Sequence, residues 1–126
     1  MHLSQKIIFK KDFNMNIGKK GEEIAKNYLL NKKFSIIKQN YHSKFGEIDI
    51  ICEDKEYIVF VEVKSKFYLS FSNLSERVDY IKQQKFLKTV KIYLSENITE
   101  KQPRIDVIEV TIFKNKYKIN HIDNAF

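Results

Sequence analysis

Gly46-Glu47-Ile48-Asp49-Ile50-Ile51-Cys52, the polar break Glu53-Asp54-Lys55-Glu56, then Tyr57-Ile58-Val59-Phe60-Val61-Glu62-Val63-Lys64-Ser65 read as two strands joined by a hairpin turn. Both strands are apolar and rich in β-branched residues, yet each carries charge inside, where desolvating a carboxylate is expensive. Side chains alternate faces along a strand. Glu62 and Lys64 therefore point one way, roughly 7 Å apart, while Val59, Val61 and Val63 point the other way and supply core. Closing the hairpin brings Asp49 beside Glu62 as a cross-strand or diagonal neighbour.

Two carboxylates offer hard oxygen ligands of the kind Mg²⁺ accepts while it keeps several waters and completes its shell with phosphate oxygens. A lysine beside them can stabilise charge developing on a phosphoryl group, or help position and deprotonate an attacking water. The same E-x-K spacing also describes an ion pair on the solvated face of an ordinary amphipathic strand. Asp49 on the adjoining strand sets this pair apart, and on the residues alone both readings stand.

Upstream, residues Ile17 to Asn31 have helical periodicity, with Gly18, Ala25 and Leu29 on one stripe and Gly21 and Tyr28 on its flank. Glu22 lies at the stripe's edge and Glu23 projects elsewhere. Glu22 is thus either an acid reaching toward the sheet or one that gains from the positive end of a helix starting near Gly18. Strands are expected over Ser35 to Tyr41, Gly46 to Cys52 and Tyr57 to Ser65. A second helix follows from Ser75, a plausible N-cap, to Leu94. Strands Arg104 to Phe113 and Lys116 to Ile122 close the chain around the turn Lys114-Asn115. This α-β-β-β-α-β order predicts an α/β fold with a central mixed sheet flanked by helices.

An acid in one strand and E-x-K in the next resembles the core of the PD-(D/E)XK nuclease superfamily, and the wider pattern resembles its small bacterial YraN-like family. The resemblance spans most of the chain: Gly18-x-x-Gly21-Glu22-x-x-Ala25, Tyr28-Leu29, Asn40 before Gly46-Glu47-Ile48-Asp49, Val61-Glu62-Val63-Lys64, Arg104-Ile105-Asp106-Val107, and the closing His121-Ile122-Asp123-Asn124-Ala125-Phe126. It implies a restriction-endonuclease-like core and Mg²⁺ or Mn²⁺ as cofactor. Asp49 and Glu62 would be metal ligands, Lys64 the catalytic lysine and Glu22 an accessory acid. Ile48 stands where the superfamily label has proline, and Lys66 and His42 stand where arginine is usual. Arginine's bidentate fork is therefore not reproduced at those two positions.

With 126 residues the chain fits one domain, expected over residues 15–126, behind an N-terminal extension over residues 1–14. That extension is a flexible basic arm, an added strand at Lys6-Ile7-Ile8-Phe9, or a start-site artefact. The net charge of +7 favours a polyanionic partner, DNA being the expected one. The lone Cys52 excludes an intrachain disulfide and a cysteine-based zinc site, and in an apolar strand it reads as a structural thiol. No apolar run is long enough to span a membrane and the start lacks a secretory segment, so a cytoplasmic protein without membrane or small-molecule cofactor is expected.

Along the second helix Lys82, Lys85, Lys88 and Lys91 sweep one half while Phe86, Val90, Tyr93 and Leu94 occupy the other. Lys82 borders the apolar arc and can aim at the acids. With Lys85 and Lys66 it forms the expected nucleic-acid contact set, while Lys88 and Lys91 read as a solvated face. Phe67, Tyr68, Leu69 and Phe71 either stack unpaired bases or cover a sheet edge or homodimer contact. Arg104 and Asp106 read as a structural pair or substrate-proximal support rather than metal ligands, and His121 as structural. Three functions are compatible with these features: a metal-dependent DNA endonuclease favouring branched or distorted DNA, a silent nucleic-acid-binding module on the same fold, and a protein-interaction domain.

Overall fold

The computed structural model describes residues 2–4, 16–68 and 80–126. In chain order the elements are β1 (His2–Ser4), α1 (Ile17–Asn31), β2 (Ser35–His42), β3 (Glu47–Glu53), β4 (Tyr57–Phe67), α2 (Tyr80–Glu96), β5 (Gln102–Phe113) and β6 (Lys116–Ile122). The expected α-β-β-β-α-β order is present, and the fold is α/β with a restriction-endonuclease-like core. The segment Lys6 to Phe9, Met15, Leu69, Phe71 and the expected N-cap Ser75 lie outside the described residues.

All six strands form one mixed sheet in the order β1-β6-β5-β4-β3-β2. The β3–β4 hairpin turns at Asp54, whose Oδ1 accepts from the backbone N–H groups of Glu56 and Tyr57 at 2.9 and 2.8 Å. β4 and β5 pair in parallel, which requires the crossover that α2 supplies, and β5–β6 is a second hairpin. At the chain start, β1 pairs antiparallel with β6. Neither helix is long and apolar enough to cross a membrane.

The sheet is buried on both faces. On one, Ala25 and Leu29 of α1 pack on Val59, Val61, Ile108 and Val110, with Val63 beside them, as alternation of the valines requires. On the other, Phe86, Val90 and Tyr93 of α2 pack on Ile48, Ile51, Ile58, Phe60 and Ile105. Glu62, Lys64 and Lys66 share the parity of Ile58 and Phe60 and so belong to the α2 face.

α1 differs from its sequence reading in one respect. Its buried residues are Lys20, Gly21, Ala25 and Leu29, whereas Gly18 is exposed. Gly21 is the contact point because a Cβ there would lie 1.6 Å from Ser65 Oγ and 2.8 Å from Ser65 Cβ: the missing side chain lets α1 press onto β4. The helix is capped by Asn16, whose Oδ1 accepts from the Lys19 N–H at 2.8 Å. Glu22, one residue past the contact, is half-buried, and Glu23 is exposed and pairs with Lys26 at 3.3 Å.

Candidate metal centre and nucleic-acid interface

Asp49 sits where the β3–β4 ladder ends. Paired residues run from Glu53 and Ile58 to Ile50 and Val61, and one more step would set Asp49 opposite Glu62. Instead its Oδ2 accepts from the Val63 N–H at 2.7 Å, taking a donor that the ladder leaves. On the other side of β3, Asn40 lies between the pairs Gln39 with Ile50 and Tyr41 with Ile48, hence opposite Asp49, and has a left-handed φ of 53°. Around this point alternation fails: Ile50 packs on the α1 side, but Ile48, two residues away, packs on the α2 side. Asp49 thus stands where alternation along β3 breaks, opposite the left-handed Asn40.

Three further acids surround it. With its amide nitrogen toward them, Asn40 donates to Glu47 Oε1 at 2.8 Å and Glu22 Oε1 at 3.1 Å. Glu62 is nearly buried, its side chain 12% exposed, and its Oε1 lies 3.5 Å from Lys82 Nζ. The Asp49 carboxyl is pushed up to about 7, chiefly by burial; the Val63 N–H opposes this, and the negative charges of Glu22, Glu47 and Glu62 add to it. Glu22 is likewise raised by burial and by Glu47, against Lys19.

A cavity of about 320 Å³ opens on this group, lined by Glu47, Asp49 and Glu62 on one side and Lys82, Lys85 and Phe86 on the other. Its mouth is formed by the Phe45-Gly46 turn, which Ser43 fixes. The Ser43 N–H donates to Gly46 O at 2.8 Å, and the Ser43 hydroxyl lies 2.8 Å from that of the fully buried Thr89 on α2. The ammonium groups of Lys44 and Lys88 lie 5.2 and 5.0 Å from the Phe45 ring centre.

Asp49, Glu62, Lys82 and Lys85 are thus brought together, and Glu22 joins them through Asn40. Lys64 and Lys66 follow Glu62 along β4, half-buried and outside the cavity lining. Sequence reasoning assigned no role to Glu47 or Asn40, although both stand in the motif that contains Asp49. The donor set suits a hard divalent cation, whose positive charge would favour the ionised form of an Asp49 carboxyl that burial first, and its acidic neighbours after it, press toward neutrality. Among the described residues no three Asp, Glu, His or Cys side chains converge closely enough to enclose an ion.

The remaining candidates form a second, closed group. Asp106 is fully buried, accepts from Arg104 Nε and Nη2 at 2.9 Å each and from the Asn124 N–H at 3.0 Å, and lies 2.7 Å from His121 Nε2. The other ring nitrogen, His121 Nδ1, is 2.9 Å from the Tyr28 hydroxyl of α1. Burial alone would raise Asp106, but the His121, Arg104 and Asn124 donors hold it below the ordinary carboxylate value. Cys52 is fully buried and its thiol is pushed up to about 12 by burial, as befits a structural residue rather than a nucleophile.

The family model described as "Uncharacterised protein family UPF0102" matches residues 21–110, a span that contains Glu22, Asn40, Glu47, Asp49, Glu62, Lys64 and Lys82. A UPF0102 protein of Caldanaerobacter subterraneus subsp. tengcongensis is 45% identical over 121 residues, covering 93% of this chain and 99% of its own. One from Alkaliphilus oremlandii is 44% identical over 116 residues, covering 90% and 99%. Another, from Clostridioides difficile, is 42% identical over 114 residues, covering 90% and 98%. Matched across most of its length by the family model and nearly end to end by these relatives, the chain belongs to the UPF0102 family, the YraN-like group that its motifs resemble.

Proposed function

We propose that the chain is a metal-dependent phosphodiester hydrolase acting on DNA in the cytoplasm, with branched or distorted DNA as its preferred class of substrate. The observation that carries this reading is that Asp49, Glu62 and Glu47, at the end of the β3–β4 ladder, line one cavity with Lys82 and Lys85, while Asn40 ties Glu22 to Glu47. Asp49 and Glu62 would hold Mg²⁺ or Mn²⁺, which when bound supplies Lewis acidity and a more acidic water. The Val63 N–H orients Asp49, and the Asn40 amide holds Glu47 and Glu22 behind it. Lys64, on the same face as Glu62, stabilises charge on the phosphoryl oxygens, while Lys82, Lys85 and Lys66 hold neighbouring phosphates.

One contact favours a second reading, a nucleic-acid-binding module without hydrolysis. Lys82 already neutralises Glu62, so an ion has to compete with that ammonium for the carboxylate. Incubating the protein with linear, single-stranded, flapped and four-way-junction DNA in Mg²⁺ or Mn²⁺ separates the two. Hydrolysis by the parent, reduced about 100-fold or more in Asp49→Asn and Lys64→Ala, is the expected result. Cleavage that survives both substitutions sinks the assigned site, and tight binding without cleavage by the parent selects the second reading.

A further inference from the structure

Among the described residues, α2 covers only part of its face of the sheet. From β4 and β5 the α2-side core takes Ile58, Phe60 and Ile105, all from the first halves of those strands. Further along, Ile108, Val110, Ile112, Tyr117 and Ile119 pack toward α1, so Thr111, Phe113, Lys116 and Lys118 face the α2 side beyond the helix's core contacts. Tyr68, at the end of β4, joins them: its N–H donates to Ile112 O at 2.8 Å and its ring meets Phe113 edge-on at 4.9 Å. Both rings are open to solvent, Tyr68 51% and Phe113 42% exposed, beside a cavity of about 210 Å³.

The charge around these rings points to the occupant. From Thr111 to Lys118 the sequence contains Lys114, Lys116 and Lys118 and no acid. Lys118 Nζ lies 5.8 Å from the Tyr68 ring centre, and Lys114 Nζ 5.8 Å from that of Phe113. Lysine is depleted at the centre of protein–protein interfaces, whereas exposed aromatics interleaved with cations suit a chain with both phosphates and bare π-faces. In a duplex those faces are stacked away. Tyr68 directly follows β4 and lies six residue steps beyond Glu62, about 20 Å along the strand, which is roughly six stacked nucleotides.

We propose that this face of β4, β5 and β6 binds an unpaired nucleic-acid strand, with bases stacked on Tyr68 and Phe113 and phosphates held by Lys116 and Lys118. The strand's other end leads to the Asp49–Glu62 cavity, a destination that rests on the hydrolase reading above; the binding surface itself does not. The surface is a place where a flap or gap in branched DNA lies while the cavity receives a neighbouring phosphate.

The test is fluorescence anisotropy of a labelled twelve-nucleotide oligothymidylate and of a blunt duplex of equal length, in EDTA. Tyr68→Leu and Phe113→Leu are each expected to weaken oligothymidylate binding about tenfold with duplex binding unchanged. Tyr68→Phe retains the parent affinity, and Lys118→Gln lowers the salt slope by about 0.7. Leucine variants that bind the single strand like the parent, or lose duplex binding equally, overturn the proposal. Cleavage of junctions by a parent protein whose leucine variants bind normally removes this surface and leaves the hydrolase reading intact. Aromatic-dependent binding by a parent that cuts nothing does the reverse.

Discussion

Replacing Asp49 with asparagine should stabilise the folded chain at neutral and alkaline pH and leave it nearly unchanged in acid. Folding lifts the Asp49 carboxyl from 3.8 to about 7, through burial first and the surrounding acids after it. At 1.36 kcal/mol per pKa unit this is about 4 kcal/mol as a ceiling. The unfolded chain releases this proton near 3.8 and the folded chain only near 7, so across that window the folded state holds more protons. Stability from this group therefore falls as pH rises from about 4 to about 7 and is level above it. Asparagine keeps an acceptor for the Val63 N–H, and the charge assistance of that bond is already contained in the shifted value. The gain at pH 8 is then at most about 4 kcal/mol, or roughly 12 °C in Tm. Urea unfolding of both proteins in EDTA from pH 3.5 to 8 measures it, carboxylates outside the acid group cancelling in the difference. A parent–variant difference that does not change between pH 4 and 7 would refute the reasoning. Added Mg²⁺ should restore about 2.7 kcal/mol to the parent at 100 times its Kd, and less to the variant.

Gly21→Ala should cost about 1–2 kcal/mol despite alanine's better helix propensity, because the new methyl meets Ser65; adding Ser65→Gly should recover most of that loss, and equal Tm values for parent and Gly21→Ala would exclude the close contact. Asp106→Ala should cost about 3–5 kcal/mol in chemical denaturation by leaving Arg104 buried without its carboxylate. Because Asp106 is held below its ordinary value, its contribution is present above about pH 4 and is lost as pH falls below that. A parent–Asp106→Asn difference that grows on acidification contradicts this.

Alternation along one strand and the 3.6-residue helical period are local properties, which is why the sequence alone assigns Val59, Val61 and Val63 to one core face and Ala25 and Leu29 to one packing stripe; that the two meet is seen only in the fold. The approach of Asp49 to Glu62 was legible for the same reason, since a tight hairpin at Asp54 fixes register. Departures from local rules were not legible. The left-handed Asn40 stands where alternation along β3 breaks and Ile48 parts from Ile50, and its amide ties Glu22 to Glu47. Gly18 and Gly21 are both consistent with a packing stripe. Only the position of Ser65 on β4, three elements later in the chain, chooses between them. The Asp106 group joins Tyr28 to His121 across 93 residues, a separation over which no periodicity carries information.

The two buried aspartates, placed side by side, separate support from chemistry. Both are withdrawn from water, and burial presses both toward the neutral form. Asp106 is given Arg104, His121 and the Asn124 N–H, and ends below its ordinary value. Asp49 is given one backbone N–H and three acidic neighbours, and ends near 7. A fold able to compensate Asp106 so fully could have supplied Asp49 with a buried arginine in the same way. It supplies instead a solvent-open cavity and lysines on the far wall, an arrangement in which Asp49 holds a proton near neutral pH or, in the proposed hydrolase, would meet a cation. That asymmetry is the physical argument for an ion, with a phosphate behind it, between Asp49 and Glu62. If the proposed hydrolysis is observed, Asp49→Asn should raise stability while abolishing it, a combination that a merely structural acid such as Asp106 cannot produce.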